Sequence, residues 1–295
     1  MKVCVEDKGD RERITGRLWV LAAGLCMSLG GPIIRLADDI TEWQFLFYRS
    51  LGAALLLLLW FRISGRPLLA RIRGVGVTGF ISGLCLSVTF TGYVWGVMHS
   101  TVANALFLLS AAPLFAALLG WMVLREPVVR SMWLAMAGVV VGVAIMIGEG
   151  LAEADLLGDL AALAAAVGFA GFSVGIRRGR HTDMTPTILI AAAITASVSA
   201  AMAFVGGTGI TAPAPDVGLA AAYGMLVIGA GIFLFTIGSK SVPSAELVLL
   251  SLTEVVLAPV WVWFAFAEVP SLPTLAGGLI LLGSIAGQAA AGMRR

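Results

Sequence analysis

Two segments of the chain carry the clearest information about its fold: residues 101–126, TVANALFLLSAAPLFAALLGWMVLRE, and residues 243–268, PSAELVLLSLTEVVLAPVWVWFAFAE. Each segment is a long apolar run that ends in glutamate, and an α-helix needs about 20 apolar residues to cross a bilayer. The two segments also match each other at one constant offset, which places Trp121 on Trp263. They therefore predict membrane-spanning helices and indicate an internal repeat.

Apolar residues extend over almost the whole chain. The 295 residues are 59% hydrophobic and 12% charged, whereas a soluble domain averages about 45–50% apolar and about 25% charged residues. This composition excludes a soluble enzyme, a nucleic-acid-binding protein and a disordered chain, and the spread of apolar sequence excludes a single-span receptor. The sequence predicts an integral membrane protein whose surroundings are the lipid bilayer, with no nucleic-acid partner.

The apolar runs are unbroken, as in residues 52–61 and 135–147, whereas the strands of a membrane β-barrel alternate apolar and polar residues. The predicted fold is therefore an all-α integral membrane protein. Ten transmembrane helices are predicted, at about residues 17–37, 41–62, 75–98, 101–124, 130–148, 157–177, 185–206, 217–239, 243–267 and 272–292.

The basic residues predict the orientation of these spans. No lysine or arginine lies in the loops around residues 38–42, 99–100, 149–156, 207–216 and 268–271. Because cytoplasmic loops carry the excess of lysine and arginine, both termini are predicted to be cytoplasmic. Seventeen of the nineteen basic residues lie on that predicted side: Lys2, Lys8, Arg11, Arg13, Arg17, Arg62, Arg66, Arg71, Arg73, Arg125, Arg130, Arg177, Arg178, Arg180, Lys240, Arg294 and Arg295.

The internal match holds without a gap over most of one half of the chain. It places Arg35 on Arg177 and Glu126 on Glu268. Each copy contains five predicted spans, so the second copy crosses the membrane in the opposite sense, as in secondary transporters. A duplication kept for folding alone is the alternative. The predicted organisation is a cytoplasmic tail (1–16), a first repeat (17–148) and a second repeat (157–292).

Residues 108–121 followed by Glu126, and residues 249–254 followed by Glu268, resemble the paired signature of the EamA domains of the drug/metabolite transporter superfamily. The resemblance covers residues 14–293. It implies ten helices in a bacterial inner membrane and the export of small metabolites. Within the superfamily the chain is most similar to the YddG-type bacterial aromatic amino-acid exporters, through general similarity and not through a diagnostic motif.

The chain departs from the family signature at two positions. Ala112 stands where the family often has glutamate, and Val255 stands where it often has proline. The second departure leaves the local bend of the ninth span open.

Signatures of enzymes and of ATP-driven pumps are absent from the sequence. No G-x-x-x-x-G-K-[ST] and no H-E-x-x-H occurs, and the chain has two histidines and three cysteines. We therefore expect no catalytic residue, no metal site and no cofactor, and the chain is not predicted to be an enzyme. Its expected partner is a small-molecule substrate, an amino acid in the leading hypothesis, and a monomer is the simplest expectation for its assembly.

Arg49 lies inside the second predicted span, too deep to reach either membrane surface easily. A guanidinium binds a carboxylate through two parallel hydrogen bonds, so Arg49 is a candidate ligand for an amino-acid carboxylate. The structural alternative is an ion pair with Glu246 or Glu254, or a bond to a carbonyl at a helix end.

Glu246 and Glu254 lie eight residues apart in the ninth span, near one face of a helix. Glu246 is a candidate for substrate binding. Glu254 is a candidate to carry a coupling proton or to pair with a substrate ammonium group. The alternative for Glu254 is a bracing role in a broken helix.

Further polar and aromatic side chains are candidates for the lining of a substrate cavity, although tryptophan at a helix end often serves as a membrane-interface anchor. These candidates are Tyr93, Trp95, Asn104, Ser244, Ser251 and Trp261. Three prolines inside spans are candidate hinges, each with a static kink as its alternative: Pro32, Pro113 and Pro259.

The sequence thus predicts a secondary transporter that exports small metabolites, and amino acids with aromatic or other apolar side chains in particular, by alternating access. A channel-like passive facilitator and an exporter of drugs or other metabolites are the alternatives. A membrane-embedded enzyme acting on lipid is disfavoured by the scarcity of histidine and of acid pairs. The energy coupling and the exact substrate stay open.

Overall fold

The structure is a computed structural model, and it describes the backbone of residues 2–65, 68–125, 130–153, 156–179, 181–238 and 244–293. Side chains are described in the same ranges, apart from residues 2–13, 130–132, 147–153, 236, 244–249, 251–252 and 289–293. The statements that follow concern these residues.

Within the described ranges all regular secondary structure is helical, with no strand, which confirms the predicted all-α class. The α-helices are α1 (Lys2–Ser28), α2 (Gly30–Arg35), α3 (Glu42–Ile63), α4 (Leu68–His99), α5 (Val102–Leu109), α6 (Ala112–Leu124), α7 (Arg130–Glu153), α8 (Leu156–Arg178), α9 (Pro186–Val205), α10 (Ala214–Tyr223), α11 (Ile232–Gly238), α12 (Ser244–Phe266) and α13 (Leu272–Met293). A π-helical segment, Gly224–Gly231, joins α10 to α11.

Seven helical segments among the described residues are long and apolar enough to cross a membrane: Ile14–Arg35, Glu42–Ile63, Leu68–His99, Val102–Leu124, Leu156–Arg178, Pro186–Val205 and Ala214–Phe235. Shorter apolar helices occupy Trp133–Met146, Thr253–Phe266 and Leu272–Gln288. The protein is therefore a multi-pass membrane protein, and the number of ten spans stays a prediction.

Several helices begin or break where the sequence did not place a boundary. The first helix extends back into the predicted tail, and α4 begins at Leu68, about two turns before the predicted span. Gly76 divides α4 with a φ of 56° and a ψ of −157°. Glycine tolerates this conformation because it has no Cβ. The part of α4 after Gly76 corresponds to the third predicted span, which begins at about residue 75.

The core of the molecule forms where α4 packs against α8 and α9 and where α3 packs against α9. Small residues permit the closest approach: a Cβ added at Gly168 would lie 2.7 Å from the Cys85 carbonyl oxygen. Helices α7 and α13 pack together beside this core, around buried Val139 and Leu281. Close contacts at small residues, as at Gly168, are typical of membrane helix packing.

The start of α3 is set by a capping box. The Thr41 hydroxyl accepts from the Gln44 N–H at 3.4 Å, and the Gln44 side chain accepts from the Thr41 N–H at 3.1 Å. The Gln44 side-chain amide also donates to the carbonyl oxygens of Gly209 and Thr211. These bonds join the start of α3 to the segment before α10.

Candidate functional site

Arg49 is the largest fully buried side chain in the described part of the protein, with 1% of its surface exposed. It lies two turns into α3, about 10 Å from the helix start at 1.5 Å per residue. Its Cζ lies 4.5 Å from the centre of the Phe90 ring and 5.3 Å from that of the Tyr223 ring. Among the described residues its Nη2 has no hydrogen-bond partner.

Two glycines bring α3 against the end of α10 and the π-helical segment. A Cβ added at Gly52 would collide with the Ala221 carbonyl oxygen, and one at Gly224 would collide with the Arg49 carbonyl oxygen. This close approach lets the Tyr223 ring reach the guanidinium of Arg49. Helical segments of the π type are frequent at functional sites.

Tyr93 and Glu254 lie in the same region. Tyr93 is buried on α4, and Glu254 is half-buried on α12. Tyr93, Tyr223 and Val255, the residue after Glu254, belong to one cluster of buried residues. Arg49, which lies against the Tyr223 ring, and Glu254 thus border the same cluster.

The described carboxylates do not neutralise Arg49 by direct contact, since the ion pairs found among them involve other residues. The predicted structural alternative, an ion pair with Glu254, is therefore not formed in this structure. The side chains of Ser244, Glu246 and Ser251, which the sequence also nominates, lie outside the described residues. One nitrogen of the buried guanidinium, Nη2, is thus left without an acceptor among the described residues.

A second polar cluster joins three segments at one end of the helix bundle, which we call the Arg35 end. Arg35 Nε lies 2.9 Å from Glu268 Oε2, and Arg35 Nη2 donates to the Ser100 carbonyl oxygen at 2.8 Å. The Val102 N–H donates to Glu268 Oε1 at 2.8 Å. These bonds join the end of α2, the turn between α4 and α5, and the loop after α12.

Asn104 belongs to the Arg35 end. Its side-chain amide donates to the Ser100 hydroxyl at 3.2 Å and to the Asp159 carboxylate, and the Ser100 hydroxyl donates to the same carboxylate at 3.0 Å. Asp159 is fully buried in the first turn of α8. Asn104 therefore ties α5 to α8.

Trp95 also lies at the Arg35 end. Its ring is half-buried, lies 5.3 Å from the Trp43 ring and stacks on His99 at 4.6 Å. His99 Nε2 lies 3.5 Å from Glu42 Oε1. Near the end of α4, the Trp95 ring thus lies between the rings it contacts on Trp43 and His99.

A cleft of about 680 Å³ opens at the Arg35 end, around the ion pair. Its lining consists of Arg35, Met98, His99, Ser100, Thr101, Leu157, Gly158, Phe266 and Glu268. The cleft is distinct from the region of Arg49, because the two sets of residues have no member in common.

Trp261 is half-buried on α12, and its Nε1 donates to the hydroxyl of buried Ser28 at 3.0 Å. This bond ties α12 to the end of α1. Among the predicted hinges, Pro32 follows the break between α1 and α2, and Pro113 follows the break between α5 and α6. Pro259 lies inside α12, which continues through it.

Sequence reasoning did not nominate Phe90, Tyr223 or Asp159. Phe90 and Tyr223 are aromatic residues in apolar spans, and their pattern resembles that of any core position. Their role depends on a contact with Arg49 across three helices. Glu268 was noted as the repeat partner of Glu126, but its pairing with Arg35 was not predicted.

The comparisons with known proteins agree with the membrane architecture. The model of the EamA-like transporter family matches residues 14–148 and 156–288. The pseudopaline exporter CntI of Pseudomonas aeruginosa, in each of two strains, is 24% identical over 270 residues, which cover 91% of this chain and 93% of the exporter. A solved crystal structure of a protein covers 95% of this chain with a TM-score of 0.68 and 20% identity, and it supports the fold alone. The two family matches cover most of the chain, so this protein belongs to the EamA-like transporter family and is a membrane transporter, not an enzyme.

Proposed function

We propose that the protein is a secondary transporter that exports small carboxylate-bearing metabolites across the bacterial inner membrane, with aromatic or other apolar amino acids as the first candidates. The observation that carries this proposal is the buried, incompletely paired guanidinium of Arg49 beside Phe90 and Tyr223. Charged side chains inside membrane spans are costly and mark substrate pathways by default.

A carboxylate is the ligand that best fits Arg49. Guanidinium and carboxylate are both planar and form two parallel charge-assisted hydrogen bonds. A carboxylate would therefore satisfy the Nη2 group that has no partner among the described residues. This supports a substrate that carries at least one carboxylate.

Glu254 favours a zwitterionic substrate, which carries an ammonium group as well as a carboxylate. The next residue, Val255, belongs to the buried cluster that contains Phe90 and Tyr223, so in this proposal a ligand at Arg49 meets a cation and an acid. An amino acid offers the complementary carboxylate and ammonium groups, and the rings of Phe90 and Tyr93 offer apolar surface to its side chain. Glu254 is also the proposed site of a coupling proton, with Ser244, Glu246 and Ser251 as further proposed contacts.

Ten spans in two inverted repeats are part of the proposal. Leu124 and Phe266 each end a helix, and the two positions are related by the offset that places Trp121 on Trp263. The same offset relates Arg125 to Ala267, the two described non-glycine residues with positive φ, at 56° and 54°. Local geometry that recurs at the spacing of the sequence repeat supports a duplicated five-helix unit.

Alternating access requires that one end of the bundle closes while the other opens. The distribution of basic residues favours the Arg35 end as the extracytoplasmic one. Its closure by Arg35, Glu268 and Ser100 corresponds to a state that does not release substrate outward. Export then requires the Arg35–Glu268 pair to separate, with the breaks near Pro32 and Pro113 as proposed hinges.

The experiment that tests the proposal is transport by purified protein in liposomes. A panel of labelled proteinogenic amino acids is offered, and we expect saturable uptake of apolar or aromatic ones. Uptake should accelerate when unlabelled substrate is present on the opposite side, because a carrier returns faster when loaded. Uptake no greater than in empty liposomes across the panel would reject the amino-acid substrate, and non-saturable flux without counterflow would favour a channel-like facilitator.

Export of another metabolite is the second candidate, because the chain is similar over most of its length to a pseudopaline exporter. The same liposomes can be offered pseudopaline. Uptake of pseudopaline and of no amino acid would select this second candidate, and uptake of both would indicate a broader substrate range.

A further inference from the structure

We propose that Phe90 and Tyr223 are positioning residues that hold the Arg49 guanidinium in one orientation, and that this orientation makes the site select carboxylates over uncharged carboxamides. The inference rests on the proposed function. It adds two aromatic residues, from α4 and α10, to the residues that determine which substrates bind.

Both rings lie close enough to act on the cation directly. Arg49 Cζ is 4.5 Å from the centre of the Phe90 ring and 5.3 Å from that of the Tyr223 ring. Both residues are buried, at 5% and 2% exposure. A cation within about 6 Å of a ring face is attracted by the ring's electrons, and the attraction strengthens when water is excluded. The rings therefore restrict the rotamers of a long, otherwise flexible side chain.

Tyr223 is itself fixed from several sides. The Phe45 ring meets it edge to face at 5.5 Å. A Cβ added at Gly30 would lie 3.2 Å from the Tyr223 hydroxyl, so α2 closes the far end of the ring. Gly224, the next residue, packs against the Arg49 carbonyl oxygen. The ring can therefore neither withdraw nor turn away from the guanidinium.

Orientation matters because two-bond recognition of a carboxylate is strongly directional. The ring faces attract the guanidinium through their electrons, and the Nη2 edge stays available. If the guanidinium tilts, one of the two bonds to a carboxylate is lost. A carboxamide offers one acceptor and no charge, and it gains little from the held orientation.

The test measures uptake of L-phenylalanine in liposomes and its inhibition by L-phenylalaninamide. The variants Phe90→Leu and Tyr223→Leu should each raise KM for L-phenylalanine roughly tenfold, with the maximal rate changed less than twofold. The preference for carboxylate over carboxamide should fall by the same factor. Phe90→Tyr keeps the ring and should restore both values. Phe107→Leu is the matched control, because Phe107 is a buried phenylalanine of the same core that contacts Gly278.

A fluorination series at Phe90 separates positioning from packing. Added fluorine atoms withdraw electrons from the ring and leave its shape nearly unchanged, so the fold is preserved even if a leucine variant fails to accumulate. We expect KM for L-phenylalanine to rise progressively with fluorination at Phe90 and to stay constant when the same series is placed at Phe107.

The outcomes separate this inference from the proposed function. If wild-type protein transports L-phenylalanine without preferring it to the carboxamide, the carboxylate site of the proposed function is wrong. If wild-type protein shows the preference, Arg49→Lys removes it, and the fluorinated and leucine variants at Phe90 keep it, the positioning role is overturned and the proposed function stands.

Discussion

Arg35 Nε lies 2.9 Å from Glu268 Oε2, and this pair connects the end of α2, in the first half of the chain, to the loop after α12, near its end. Both side chains are partly exposed, at 27% and 20%. An isolated ion pair of this exposure is worth little. Here each partner also bonds to the backbone of the turn between α4 and α5, through Ser100 and Val102, so the pair is the centre of a network that joins three segments.

The first prediction concerns this network. Glu268→Gln should weaken the closure of the Arg35 end and raise the labelling rate of a cysteine placed at Ser100 by an impermeant maleimide several-fold. The reversed pair Arg35→Glu with Glu268→Arg should recover part of the protection, since it restores the attraction with opposite signs.

A matched control exists in the pair of Arg71 and Asp183, whose nitrogen and oxygen lie 3.5 Å apart and whose acid is 43% exposed. Asp183→Asn should leave labelling at Ser100 unchanged. Equal labelling in wild-type protein and in Glu268→Gln would show that the pair does not close this end.

The second prediction concerns Arg49. Arg49→Lys keeps the charge but loses the planar fork of donors, so transport of a carboxylate substrate should fall by roughly tenfold or more. The apparent Tm in detergent should change little, because the aliphatic stem and the charge remain. Flux equal to that of wild-type protein would remove Arg49 from the binding site.

The third prediction concerns the contact between α3 and the π-helical segment. Gly224→Ala places a methyl group against the Arg49 carbonyl oxygen, and overpacking of this kind costs about 1–3 kcal/mol. We expect a lower apparent Tm and reduced transport. Gly218→Ala in α10 is the matched control, since no described atom outside its own helix turn lies within 4 Å of a Cβ added there. Equal Tm values for the two variants would contradict the close contact.

The fourth prediction concerns Glu254. Glu254→Gln keeps the size of the side chain but cannot exchange a proton, so accumulation of substrate against its gradient under an imposed pH gradient should be lost. Exchange of labelled for unlabelled substrate should persist, because exchange needs no net proton movement. Accumulation that continues in Glu254→Gln would exclude Glu254 as the coupling site.

Much of the architecture could be predicted from one sequence. Spans of about 20 apolar residues give helices because a backbone in lipid must satisfy its own hydrogen bonds. The sequence repeat pairs the positions of Leu124 and Phe266, and the structure ends a helix at each of them. The helix breaks at Gly76 and Leu29 could not be predicted from the sequence. Gly76 is one of 36 glycines, and Leu29 is an ordinary residue of an apolar span.

The candidate site could likewise be predicted only in part. Arg49 could be nominated from the sequence because a charge in an apolar span stands out against its neighbours. Its environment could not, since Phe90 and Tyr223 lie on other helices, far away along the chain, and look like ordinary core residues. Arg35 and Glu268 were visible as members of the repeat, but their ion pair depends on how the ends of α2 and α12 meet.

Hydropathy, charge distribution and repeat length are local or additive properties, and they were enough to establish a helical membrane protein and to nominate its exceptional charges. Side-chain contacts between distant helices depend on packing register, which small residues such as Gly52 and Gly224 set by close backbone contact. That register places Arg49 against the rings of Phe90 and Tyr223, and it brings two repeat positions, Arg35 and Glu268, together in an ion pair.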